Sequence, residues 1–125
     1  RVKTSANGSA PAAQAELTEA EKRYNAGVNL SRQGRWEAAI AEYDEAIRLD
    51  PQVATTFFNR GSAHDVLSQW ESAIQDYDRA IELNPTYLEA YGNQGYVYLN
   101  RGEYQRAVQD IGESIRLDPQ MPPIM

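Results

Sequence analysis

Apolar and polar positions along this chain follow a helical period in six stretches, each closed by a breaker. Thr18-Glu19-Ala20-Glu21 fits a capping box, with Thr18 as N-cap and Glu21 at the third helical position. A first helix runs from there to Arg32, and Gly34 breaks it. A second spans Trp36 to Leu49 and stops at Asp50-Pro51, because proline removes a donor and disfavours helix in the residue before it. Helices over Val53–Leu67 and Trp70–Leu83 end at Asn84-Pro85. Two more, over Tyr87–Asn100 and Tyr104–Leu117, end at Asp118-Pro119. The turns between them are only a few residues long, so the helices pair as antiparallel hairpins.

The hairpins repeat. Residues 54–87 match residues 20–53 at 13 positions and residues 88–121 at 8, all at a fixed shift of 34. Chance at average composition gives roughly two matches per comparison. A period of this size decides the architecture: one such hairpin cannot bury its apolar face alone, and three stacked ones can. The expected fold is all-α, an α-solenoid of three helix–turn–helix units over 20–53, 54–87 and 88–121. The domain as a whole covers 18–121, after a flexible linker at 1–17 and before a tail at 122–125. Residues 1–16 are rich in Ala, Ser, Gly, Asn, Gln and Pro and lack an apolar period.

Within each unit, Gly27, Gly61 and Gly95 precede Ala39, Ala73 and Ala107 by twelve residues. Glycine inside a helix costs roughly 1 kcal/mol against alanine, so three in register call for close helix packing. Ile47/Leu49, Ile81/Leu83 and Ile115/Leu117 are expected to fill the core, with Tyr43 and Tyr77 bridging to the neighbouring unit. Ile111, Gly112 and Ser114 are expected to loosen the last helix. The prolines at 122 and 123 forbid a further covering helix, so Ile111 and Ile115 should present an apolar assembly edge through which copies of the chain could associate.

At these positions the chain resembles the tetratricopeptide repeat, whose signature is W-x2-L-G-x2-Y, A-x3-F and P in a helix–turn–helix of this period. The central unit reads Phe57-x2-Arg60-Gly61-x2-His64, Ala73-x3-Tyr77 and Pro85. The third reads Tyr91-x2-Gln94-Gly95-x2-Tyr98, Ala107-x3-Ile111 and Pro119. The first reads Arg23-x2-Ala26-Gly27-x2-Leu30, Ala39-x3-Tyr43 and Pro51. Arg23 departs from the usual large apolar residue, which suits a first unit facing water. His64 departs at a position between helices. The resemblance implies a right-handed superhelical segment whose concave groove is lined by the first helix of each pair. It also implies a scaffold that binds an extended peptide segment of a partner.

The groove can be located without the family. Residues two positions before the three glycines lie about 200° away on the helical wheel and so point away from the partner helix. All three are asparagine: Asn25, Asn59 and Asn93. Asparagine is a poor helix former, and a row of amides can pair with both N–H and C=O of an extended backbone. In some tetratricopeptide proteins the same phase carries an asparagine ladder that grips a peptide main chain. Around the row lie Tyr24, Thr55, Phe58, Ser62, Asp65, Glu89 and Tyr96. Another mode in the family, a clamp for a C-terminal carboxylate, uses Lys and Arg on this face. Its positions here hold Tyr24, Val28, Glu89 and Asn93, and only Asn59 fits. Acidic C-termini are therefore rejected in favour of neutral to basic segments.

The charge balance agrees. Twelve Lys and Arg against 18 Asp and Glu give a net charge of −6, which argues against nucleic acid as a partner. No apolar run is long enough to span a bilayer, and no membrane contact by this segment is expected. With no cysteine and a single histidine, His64, neither a metal site nor a cofactor is expected. Asp44, Asp76, Asp78 and Asp110 on the second helices are taken as a solvated face. No Gly-rich phosphate loop or nucleophile elbow occurs, so catalysis is not expected. The chain starts at Arg1 and reads as a fragment, which leaves a regulatory part of a larger protein as a third reading. A cytoplasmic setting is favoured, and a tethered extracytoplasmic one is compatible.

Overall fold

The computed structural model describes residues 15–120. Among them are six helices and no strand: α1 (Glu19–Arg32), α2 (Trp36–Leu49), α3 (Ala54–Val66), α4 (Trp70–Leu83), α5 (Leu88–Asn100) and α6 (Tyr104–Leu117). The capping box at Thr18 is formed in both directions. Thr18 N–H donates to Glu21 Oε1 at 2.8 Å, and Glu21 N–H donates to Thr18 Oγ1 at 3.1 Å. Most of the linker at 1–17, and all of the tail at 122–125, lie outside the described residues.

Two kinds of turn alternate. Between the helices of a hairpin the chain passes through a left-handed residue: Gly34 at φ +74°, Gly102 at +78°, and in the central unit Ser68 at +59°. A serine there bears the Cβ strain that glycine avoids. Between hairpins an Asx turn recurs. The Oδ1 atoms of Asp50, Asn84 and Asp118 accept from the N–H two residues on, at 3.1, 3.2 and 3.1 Å. The Asp/Asn-Pro pairs therefore stop the helix twice over, by the missing proline N–H and by a side chain that redirects the backbone.

Each hairpin packs α1 on α2, α3 on α4 and α5 on α6. Adjacent units then join α2 to α3 and α4 to α5. The first helices also approach one another, α1 with α3 and α3 with α5, whereas no Cα atoms of α2, α4 and α6 come within 8 Å of one another. A stack whose first helices are close and whose second helices diverge is curved, with the first helices on the inner side. The core follows the stack. One cluster joins Ala73, Ile74 and Tyr77 to Val97, Tyr98 and Ala107, and another joins Phe57 and Ala80 to Ala90.

Tyr77 reaches the third unit through the first of these clusters, as expected. Tyr43 rests on Gly27, Ser31 and Tyr24 of its own unit. Leu49 is 39% exposed and lies outside the core, because it falls on the last turn beside Asp50. The last helix is not loosened: α6 is unbroken over 14 residues. Ser114 is buried, its hydroxyl donating to the Leu88 carbonyl at 3.4 Å.

Close approach of the paired helices rests on the glycines. A Cβ at Gly27 would lie 2.7 Å from Tyr43 Cδ1 and 2.9 Å from Cζ, and one at Gly95 would lie 2.8 Å from Ile111 Cγ1. Gly27→Ala gains helix propensity of about 1 kcal/mol. It collides with a fully buried ring, at a cost of roughly 1–3 kcal/mol. A net loss of about 1 kcal/mol is expected by urea unfolding; equal or higher stability in the variant would contradict the close-packing account.

Candidate functional site

The inner face presents the asparagine row unequally. Asn25 is exposed, whereas Asn59 and Asn93 are half-buried. Asn59 Nδ2 donates to the Tyr24 hydroxyl at 3.0 Å, which ties α3 to α1. Its carbonyl and second N–H stay outside that bond. The Asn93 amide lies near enough to the Tyr77 hydroxyl to favour its ionised form slightly against burial. The row is thus partly a brace between units.

Tyrosines from the second helices form the floor. Tyr43 shares a hydrogen bond with Ser31 at 3.1 Å, and the Tyr77 hydroxyl donates to Ser62 at 3.3 Å and Asp65 at 3.5 Å. Burial pushes the Tyr77 hydroxyl up to about 12, so it stays a neutral donor. Burial also raises the Asp65 carboxyl, against the bond from Tyr77. Phe58 lies lower than expected for an open receptor. Its ring stacks on Tyr87 (centroids 5.0 Å apart, 27° between planes) and tilts against Tyr77 at 5.8 Å. It supports the floor, as does Tyr87. Tyr87, expected only as the first residue of the fifth helix, is its N-cap.

Two depressions open between α1 and α3. One, about 400 Å³, brings together Tyr24, Asn25 and Thr55 with Glu21, Asp50 and Val53. The other, about 230 Å³, brings Asn59 and Ser62 beside Val28, Ser31, Arg32 and Trp36. Glu89 and Tyr96 are exposed on α5 and line neither depression. Among the described residues, no group of three or more His, Cys, Asp or Glu side chains could hold a metal ion, and no helix is long and apolar enough to cross a membrane.

The expectation of a solvated acidic face fails at Asp76, which is 4% exposed. Arg60 from α3 reaches it through two bonds, Nε to Oδ2 at 2.8 Å and Nη2 to Oδ1 at 2.7 Å. Its Nη1 donates to Asp44 of α2 at 2.8 Å. A buried carboxylate needs such a bidentate partner, and one guanidinium thereby joins three helices of two units. His64 lies alongside, with Nδ1 against Gln69 Oε1 at 2.7 Å and Nε2 3.8 Å from Asp76.

With the geometry established, comparison with known proteins settles the family. Models of the tetratricopeptide repeat match residues 24–87 and 76–109. The chain belongs to the tetratricopeptide repeat family. A search of curated proteins gave no match. Solved structures similar to it include the first tetratricopeptide domain of Spaghetti (RPAP3) bound to the HSP90 peptide SRMEEVD. That domain shows 26% identity and a TM-score of 0.80, with 82% of each chain covered. MamA is similar at 29% identity and TM-score 0.79, over 80% of this chain and 58% of MamA. The Arabidopsis OM64 domain is similar at 27% identity and TM-score 0.80, over 82% and 85% of the two chains.

The departures from the tetratricopeptide signature now have local causes. Arg23 is exposed and pairs with Glu42 at 3.1 Å instead of entering a core. Ile111 stands where the earlier units have a tyrosine and fills the space against Gly95. The Arg60 bridge makes a direct prediction. Arg60→Ala strands a buried carboxylate and should cost about 3 kcal/mol at neutral pH. Asp44→Ala removes an exposed partner and should cost about 1 kcal/mol or less. Chemical unfolding of the two variants checks this ordering; equal losses would contradict it.

Proposed function

We propose that this tetratricopeptide domain is a non-catalytic scaffold that holds an extended peptide segment of a partner protein along α1, α3 and α5. The observation that carries the reading is the row Asn25, Asn59 and Asn93 on the three first helices, with one depression opening beside Asn25 and the other beside Asn59. Amides at one phase offer donors and acceptors to a peptide main chain, and the depressions offer room for side chains. Two of the similar structures are tetratricopeptide domains holding an HSP90 peptide, which supports a peptide as the class of ligand.

The charge of that ligand differs in our reading. Glu21 and Asp50 line the larger depression, Asp65 edges the floor and Glu89 is exposed on α5. Among the described residues, Arg32 is the one cation lining the two depressions. A peptide ending in acidic residues meets repulsion here, and a neutral or basic one does not. Fluorescence anisotropy against an array of extended peptides of graded charge is the test. Basic and neutral peptides should bind at least about tenfold tighter than SRMEEVD, which corresponds to about 1.4 kcal/mol. Asn25→Ala with Asn93→Ala should abolish binding while the secondary structure stays intact. Preferential capture of SRMEEVD, or binding indifferent to both asparagines, would overturn the reading.

A second reading, self-association through the last helix, is favoured by one observation. Tyr104, Val108 and Ile115 on α6 are 65%, 69% and 45% exposed, and Ile111 lies between them. The corresponding face of α4, with Ile74 and Tyr77, is covered by α5. Light scattering at high concentration should show a mass above the monomer that Val108→Asp with Ile115→Asp returns to monomer. A monomer at every concentration sinks this reading.

A further inference from the structure

The contact between units is built twice with the same frame and different chemistry. In the first, Arg60 of α3 lies between Asp44 of α2 and Asp76 of α4, next to His64. Thirty-four residues on, the same places hold Gln94 of α5, Asp78 of α4 and Asp110 of α6, with Tyr98 in place of His64. The neutral amide cannot do what the guanidinium does. Gln94 Nε2 donates to Asp78 Oδ1 at 2.7 Å and to the Ile74 carbonyl at 3.3 Å. Both of its hydrogens are then engaged. Asp110 Oδ2 is left buried with no hydrogen-bond partner.

We propose that the contact between the second and third units is a proton-dependent joint, tight when Asp110 carries a proton and loosened when Asp78 and Asp110 are both ionised. Arg60 holds the first contact shut without a proton. The groups facing Asp110 are Asp78 from α4 and Tyr91 and Tyr98 from α5. On α6 itself Arg106 lies over the Tyr98 ring at 5.7 Å and is mostly exposed. Among the described residues, no guanidinium pairs with Asp110 as Arg60 pairs with Asp76. Burial, and then the charge of Asp78, push the Asp110 carboxyl up to about 6.

The direction follows from linkage. The folded joint keeps a proton that the unfolded chain gives up at the ordinary carboxylate pH, so the joint's contribution is greatest in acid. It falls as pH rises through about 6 and is constant above. Because α5 carries Asn93 and α3 carries Asn59, opening the joint changes the length of the inner face. The joint does not depend on that face binding a peptide.

Native-state amide hydrogen exchange, corrected for intrinsic rates, reads the joint directly as opening of α6 relative to α4. Between about pH 4.5 and about pH 7.5 that ratio should rise roughly tenfold in the native chain. The rise should vanish in Asp110→Asn, which cannot ionise, and in Gln94→Arg, which copies the first contact. If Asp110→Asn does not fold, Gln94→Arg decides. A native ratio that rises no more than in Asp110→Asn, or a Gln94→Arg chain that keeps the native pH dependence, overturns the proposal.

Discussion

In each hairpin a glycine of the first helix lies against a side chain of the second, and the separation of the two helices is set there. Gly27 meets the Tyr43 ring, Gly61 meets Tyr77, and Gly95 meets Ile111. The missing Cβ lets an aromatic side chain lie across the backbone, so a single residue both spaces the helices and fills the core. The same ring then works at its other end. Its hydroxyl reaches the polar side of the first helix, to Ser31 in one unit and to Ser62 and Asp65 in the next. Helix spacing and the floor of the inner face therefore come from one contact.

Units join through a second device, a polar side chain from the first helix of one unit set between acids of two second helices. The strength of that device differs along the stack. Arg60 satisfies Asp76 with a bidentate pair, whereas Gln94 serves Asp78 and leaves Asp110 Oδ2 without a hydrogen bond. A solenoid's stability is a sum of unit and neighbour terms, so unequal neighbours make an unequal stack. The third unit also carries the open apolar face of α6. The unpartnered carboxylate oxygen of Asp110 and the exposed apolar side chains of α6 thus fall together in the C-terminal part of this tetratricopeptide domain.

The architecture was legible in the sequence because every level agreed: caps, glycines, prolines and apolar period all recur at one spacing. Helix ends came within one residue, and α2, α4 and α6 matched at both. Faces were harder to read. Asn59 reads as a free amide of the inner face, yet its Nδ2 is engaged by Tyr24, 35 residues away. Phe58 shares the outward phase and still goes down onto Tyr77 and Tyr87, because a large apolar ring follows burial and not the helical wheel. Asp76 misled for the converse reason. Acids on a helix are solvated by default, and only the cation brought by the preceding helix made burial tolerable. Positions within a helix are periodic, whereas partners across helices are not.

The central claim is that the first helices form the binding face and the second helices carry the scaffold. Backbone and side-chain amide shifts recorded while a neutral or basic peptide is titrated in test it most directly. The account predicts that the largest changes fall on α1, α3 and α5, with the side-chain amide of Asn25 among them, and that α6 stays unmoved. Changes concentrated on α2, α4 and α6, or on the open face around Val108 and Ile115, would contradict it.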